Sequence, residues 1–236
     1  MSLSGRKKRI LEVIVTSVEE AILAESGGAD RLELIRDFEV GGLTPPLTVV
    51  ADVLASVNIP VRVMVREQAN FSLKDESEAT SLREILASLT TLKIDGAVFG
   101  FIENELVDTK SIGRLLRGHE QLKLTFHRAF EAASNPFEAI KAMKEFPQID
   151  KILTNGGGAN WGAVSWTQRI ERMQSWQQIA SPITILVGGE VESNALEQMK
   201  TTELQEFHVG RSVRTPETTS GKVDPAKIRQ MRQILD

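Results

Sequence analysis

Five segments of the chain alternate aliphatic residues with polar ones, and the polar set is of the kind that moves protons and holds anions. In Ile10-Leu11-Glu12-Val13-Ile14-Val15, the side chains of Leu11, Val13 and Val15 share one side of a strand and Glu12 takes the other. Leu32 and Leu34 flank Glu33 in the same way. Val61, Val63 and Val65 alternate with Arg62, Met64 and Arg66; Leu124 and Phe126 alternate with Thr125 and His127; Phe207 and Val209 flank His208. Two carboxylates, two guanidiniums and two imidazoles therefore share one face across five strands. This set suits general acid–base chemistry of the isomerase or lyase type on a small anionic or phosphorylated metabolite. Glu12 or Glu33 would exchange a proton, His127 would act as the partner acid or base, and Arg66, Arg128 and Arg211 would hold anionic groups. The same set also describes a self-neutralising ion-pair network, since such groups are costly to bury unless they pair. Both readings stand at this level.

A second signal lies after the last two strands, in Val187-Gly188-Gly189-Glu190 and Val209-Gly210-Arg211-Ser212. Glycine lets backbone N–H groups approach an anion, and barrels that bind phosphate commonly do so between their seventh and eighth strands. Gly188, Gly189, Gly210 and Arg211 are the candidate anion cradle, although two glycine turns can simply end two strands. Metal donors are sparse: there is no cysteine, one of the three histidines (His119) falls in a polar segment, and Met64, His127 and His208 are what remains. No Gly-x-Ser-x-Gly nucleophile motif and no flavin, nicotinamide or pyridoxal signature is present.

The elements that must carry these residues recur at a regular spacing. Short apolar runs begin near Ile10, Arg31, Val61, Asp95, Leu122, Ile149, Ile183 and Glu206, about 28 residues apart, each followed by helical periodicity. Eight such units use about 224 residues, nearly all of the chain from Ile10 onward. The pattern predicts an α/β fold, a (β/α)8 TIM barrel forming a single domain over residues 10–236, with a doubly wound open sheet as the alternative. No G-x-G-x-x-G turn follows a strand, which counts against the open sheet. Ser17 with Glu20 reads as a capping box, and Thr44-Pro45, Asn135-Pro136 and Asp224-Pro225 read as caps followed by Pro at the first helical position. Trp166, Ile170, Met173 and Trp176 form a stripe that fits helix packing on the barrel better than a partner surface.

Composition narrows the function classes. The 236 residues are 41% hydrophobic and 25% charged, with 28 Lys+Arg against 32 Asp+Glu, and no basic stripe could track nucleic acid. No apolar run approaches the roughly 20 residues of a membrane span. Residues 1–9 (MSLSGRKKR) read as a disordered leader, and the absence of both cysteine and an apolar signal segment makes the cytoplasm the expected location.

LEVIVTSVEEAILAESGGADRLEL (11–34), GGLTPP (41–46), PVRVMVR (60–66), DGAVFGF (95–101), LTFHRAF (124–130), DKILTNG (150–156), ILVGGEV (185–191) and EFHVGRS (206–212), in this order and spacing, resemble the CutC family, named for copper homeostasis. The resemblance implies a cytoplasmic TIM barrel, a homodimer or larger homo-oligomer, and a site at Glu12, Glu33, Arg66, His127, Arg128 and His208. It also implies copper as a ligand. Family members said to bind copper carry cysteines where LEV and LEL are followed here by Ile14 and Ile35, and Cu(I) prefers such soft ligands. The family carries no known reaction.

Overall fold

Each apolar run becomes one strand: β1 (Ile10–Val15), β2 (Arg31–Leu34), β3 (Val61–Met64), β4 (Gly96–Val98), β5 (Lys123–Phe126), β6 (Ile149–Thr154), β7 (Thr184–Val187) and β8 (Glu206–Val209). One helix follows each: α1 (Val18–Gly27), α2 (Leu47–Ser56), α3 (Glu76–Thr91), α4 (Thr109–Leu116), α5 (Pro136–Met143), α6 (Trp166–Ala180), α7 (Ser193–Met199) and α8 (Pro225–Leu235). In the computed structural model, which describes residues 8–158 and 161–236, the strands pair in parallel and in chain order, and β8 closes onto β1. This is the (β/α)8 barrel expected from the spacing, and the open-sheet alternative falls with the closure. Two short antiparallel hairpins, Ile102–Glu103 with Leu106–Val107 and Arg214–Thr215 with Lys222–Val223, decorate the loops after β4 and β8. Among the described residues no helix is long and apolar enough to cross a membrane.

The strand period sorts side chains as the alternation requires. Leu11, Val13, Val15, Leu32, Leu34, Val61, Val63, Val65, Leu124, Phe126, Phe207 and Val209 belong to the core between strands and helices, where burial of aliphatic surface stabilises the fold. Ile14, Ile35, Met64 and Val98 form a separate apolar cluster with Phe38 packed on it. Its residues come from the opposite parity, and so they lie inside the barrel. Ile170, Met173 and Trp176 are buried in the outer core, which is the packing role expected of that stripe.

Most caps fall where the sequence places them. Asn135 accepts from the N–H groups of Phe137 and Glu138, Asp224 accepts from Ala226, and Pro136 and Pro225 open their helices. The Ser17 hydroxyl accepts from the Glu20 N–H, but the Glu20 carboxylate takes the N–H and hydroxyl of Thr16 instead of the Ser17 amide. The expected capping box is therefore half formed. The Thr44-Pro45 expectation is corrected: α2 starts at Leu47, because Thr44 is held by Arg66, its hydroxyl donating to the Arg66 carbonyl (3.0 Å) and accepting from the Arg66 N–H (2.8 Å).

Most of the expected leader lies outside the described residues, but its last residue does not. The Arg9 guanidinium is buried and donates to the carbonyls of Met199, Lys200 and Thr202, so the ordered chain includes Arg9.

β4 meets β5 at a glycine. A Cβ on Gly96 would lie 2.7 Å from the Lys123 carbonyl oxygen, and backbone cannot yield as a side-chain tip can. Gly96→Ala is expected to cost about 1–3 kcal/mol, read as a lower urea midpoint at unchanged slope. An unchanged midpoint would show that β4 and β5 part freely here.

Candidate functional site

Apart from the Ile14, Ile35, Met64 and Val98 cluster, the lumen is filled largely by charged side chains. At the N-terminal end of the strands, Arg62 is 1% exposed and donates to both Asp150 oxygens (2.7 and 2.6 Å), to Asp95 (3.1 Å) and to the Thr125 hydroxyl (2.6 Å). Lys151 lies 3.4 Å from Asp150 and 2.9 Å from Glu206. Arg31 then joins Glu206 (2.6 Å) to Glu12. The Nδ1–H of His208 donates to Glu12 at 2.8 Å, and its Nε2 faces Glu33 at 3.4 Å. An alternating series of acids and bases thus runs up the barrel to Glu33. The register explains the last steps, since Glu12 lies beside His208 and Ile14 beside Glu33.

Glu33 opens into a pocket of about 540 Å³ at the C-terminal mouth, lined also by Arg66, His127, Arg128 and His208. This volume is typical of small-molecule sites. The sequence-predicted residues therefore divide: Glu33, Arg66, His127, Arg128 and His208 line one pocket, Glu12 lies beneath it, two residues before Ile14 of the lining, and Arg62 belongs to the ion pairs at the opposite end. The ion pairs thus occupy the lower lumen, and the pocket lies at the mouth.

The electrostatics set distinct roles. Burial resists ionisation of Glu12, but Arg31 and His208 overcome it and hold the carboxyl well below its usual range. Burial likewise disfavours charge on His208, and the carboxylates of Glu33 and Glu12 reverse this and raise it. Glu33 shares His208 with Glu12, at the longer distance of 3.4 Å. Burial pushes it up to about 7, the adjacent Glu12 charge adds to the shift, and His208, Arg31 and Arg66 only limit it. His127 goes the other way: burial, then the Arg66 and Arg128 cations, lower it to about 3. It is a neutral imidazole. Its Nδ1 accepts from the Ala129 N–H at 3.2 Å, which assigns the proton to Nε2.

Arg66 is fixed by its surroundings. Thr44 clamps its backbone, its Nε and Nη2 donate to the carbonyls of Gln68 (2.6 Å) and Ala69 (2.5 Å), and its Cζ lies 5.2 Å from the Phe71 ring centroid. The same ring meets His127 edge-on at 5.3 Å. Among the described residues no carboxylate lies within 4.0 Å of the Arg66 or Arg128 guanidinium.

The expected anion cradle after β7 and β8 is largely engaged. Gly189, Gly210 and Arg211 line the pocket and Gly188 does not. The Gly188 N–H donates to the Thr154 carbonyl, and Arg211 is paired with Glu190. The glycines answer first to packing: a Cβ on Gly210 would lie 2.6 Å from the Phe38 ring, and one on Gly188 2.6 Å from Leu153. The loops after β6 and β7 are joined by Arg169, which donates to the carbonyls of Asn155 and Gly189 and whose Cζ lies 5.2 Å from the Trp161 ring centroid and 3.5 Å from that of Trp166. Trp161 lines the pocket.

Several contributors escaped the sequence reading. Arg31 and Glu206 precede Glu33 and His208 by two residues, so the same alternation identifies them; Lys151 shares parity with Leu153, but its neighbour Asp150 obscures the pattern. Phe38, Phe71 and Trp161 come from loops, where no period exists.

As metal donors these side chains fit poorly. Met64 packs among Ile14, Ile35 and Val98, both nitrogens of His208 face carboxylates, and Nδ1 of His127 is engaged by Ala129. Among the described residues no three His, Cys, Asp or Glu side chains are arranged to hold a metal ion.

The fold and the sequence are similar to those of known proteins. The chain is 31% identical over 201 residues to a family protein CutC of Histophilus somni, covering 84% of this chain and 81% of that one. It is 32% identical over 201 residues to the human protein named copper homeostasis protein cutC homolog, covering 84% and 72%. The crystal structure of CutC from Streptococcus agalactiae superposes with a TM-score of 0.77 at 25% identity, covering 86% of this chain and 98% of that one. The sequence model of the CutC family matches residues 9–213, and with nearly the whole barrel inside that match, this chain belongs to the CutC family.

Proposed function

We propose that the barrel is a cofactor-independent enzyme of the isomerase or lyase type that moves a proton on a small anionic metabolite. The observation that carries this is the convergence of Glu33, His127, Arg66 and Arg128 on one pocket, where burial raises the Glu33 carboxyl and lowers the His127 imidazole. A group poised near neutrality gives and takes protons readily, and environments that push two titratable groups apart assign acid–base roles. Glu33 exchanges the proton, His127 offers Nε2–H to developing negative charge, and Arg66 with Arg128 attracts the substrate. Glu12 and His208 hold Glu33 in place from below. Such an enzyme suits the cytoplasmic location suggested by the cysteine-free composition.

Incubation of the full chain in D2O with a panel of small carboxylates and sugar phosphates tests the reading by mass. Deuterium should enter at least one compound with the wild type and none with Glu33→Gln. A wholly unlabelled panel, or equal labelling by both proteins, would reject it.

Copper binding is the second reading, supported by the human relative's name and by the Met64, His127 and His208 side chains in one pocket. Copper would have to displace the Ala129 hydrogen bond or the Glu12 and Glu33 contacts to reach imidazole nitrogen. An anaerobic Cu(I) competition titration against a colorimetric chelator is expected to show no stoichiometric site. One ion per chain, lost in the His127→Ala/His208→Ala double variant, would put copper first.

A further inference from the structure

Where the anion binds relative to the reacting groups decides which substrates fit. On the β7–β8 side the cationic side chain is matched by an acid, Arg211 with Glu190, and Glu217 there is matched by Lys227. On the β3–β5 side, Arg66 is only 7% exposed and meets carbonyls but no carboxylate, and its Nη1 lies 3.8 Å from where a Cβ on Gly41 would be. Arg128 follows His127 directly in the chain and lines the same pocket. Phe71 meets both Arg66 and His127, which places the Arg66 guanidinium and the imidazole against one ring. Between these two charged sides, Ile14, Ile35, Phe38 and Met64 give the cavity an apolar stretch of wall.

We propose, resting on the acid–base reading above, that the substrate is a 2-oxo acid with an apolar substituent, its carboxylate held by Arg66 and Arg128 next to the reacting carbons and its substituent against Ile14, Ile35 and Phe38. A terminal phosphate held between β7 and β8 would lie several bonds from the chemistry; a carboxylate held beside His127 is bonded directly to the carbonyl carbon. In the step this allows, a Glu33 carboxylate oxygen takes a proton from C3. The C–H electron pair becomes the C2–C3 double bond, and the carbonyl pair moves onto oxygen, where the Nε2–H of His127 donates a hydrogen bond. Return of the proton from Glu33 to C3 restores the oxo acid, so the cycle needs no oxidant or reductant.

Phenylpyruvate and inorganic phosphate are the probes, titrated calorimetrically into the wild type, Arg128→Gln and Arg211→Gln, with C3–H exchange of phenylpyruvate in D2O followed by NMR. Phenylpyruvate should bind about 10- to 100-fold more weakly to Arg128→Gln and equally to Arg211→Gln. Its exchange should exceed the buffer rate with the wild type and return to it with Glu33→Gln. Arg128 is exposed, so its variant is expected to fold, which circular dichroism checks. Absence of phenylpyruvate binding, binding indifferent to Arg128, or tighter binding of phosphate that depends on Arg211 would each overturn the assignment. Labelling of a sugar phosphate from the panel above without exchange of phenylpyruvate would reject the 2-oxo acid alone and leave the acid–base reading standing.

Discussion

Replacement of Glu33 by Gln is expected to lower proton transfer by about 100- to 10,000-fold while the barrel stays folded. Gln keeps the shape and one acceptor oxygen but cannot take a proton. The pH dependence separates this from simple damage to the pocket. Abstraction needs the ionised carboxylate, so wild-type turnover should rise with pH through about 7, and any residual rate of the variant should lack that step. Stability changes with the opposite sign. The Glu33 carboxyl ionises near 4.5 when exposed and near 7 when folded, so between these values the native state holds the extra proton. Its contribution is most favourable below 4.5 and declines as pH rises through about 7. Above that range the Gln variant should match or exceed the wild type in stability, by up to about 3 kcal/mol. Urea denaturation at two pH values measures this. A variant that is inactive and also less stable at pH 8 would mean that Glu33 serves structure instead of chemistry.

Arg31→Leu should give the largest loss of stability. Arg31 stands between Glu12 and Glu206, and removing it leaves two carboxylates in the lumen with weakened compensation. Breaking a buried pair in this way costs about 3–5 kcal/mol because the stranded charge, more than the lost contact, is expensive. For a chain of this size that corresponds to a fall in Tm on the order of 10 °C. Adding Glu12→Gln and Glu206→Gln to the same variant should recover part of the loss. If Arg31→Leu melts with the wild type, the lumen charges are hydrated well enough not to need one another. If the triple variant is no better than the single one, packing around the Arg31 stem is the cause.

The barrel was legible in the sequence because one unit length, one strand parity and proline-opened helices all point the same way. Glu33, Arg66, His127 and His208 were legible for the same reason: a charged residue on the inward parity of a β-strand has nowhere to go but the lumen. Parity, however, does not give height along the barrel axis. Glu12, Arg62 and Glu33 look equivalent in sequence, and only the stagger between strands places Glu33 in the pocket, Glu12 beneath it and Arg62 at the far end. The glycines are ambiguous for a related reason, since a glycine demanded by a neighbouring ring and one demanded by an anion read alike. Gly210 makes room for Phe38, and Phe38 sits in a loop that no period predicts.

The stack of Trp161, Arg169 and Trp166 has an optical consequence. The chain has no tyrosine and three tryptophans, so its near-ultraviolet emission comes from indole alone. Trp176 is shut in the outer core and the Trp166 ring is held against the Arg169 guanidinium, whereas Trp161 borders the pocket. A molecule entering the mouth would change the surroundings of one emitter in three. Occupancy of this barrel can therefore be followed as a spectral shift in the unmodified protein, and Trp161→Phe supplies the silent control.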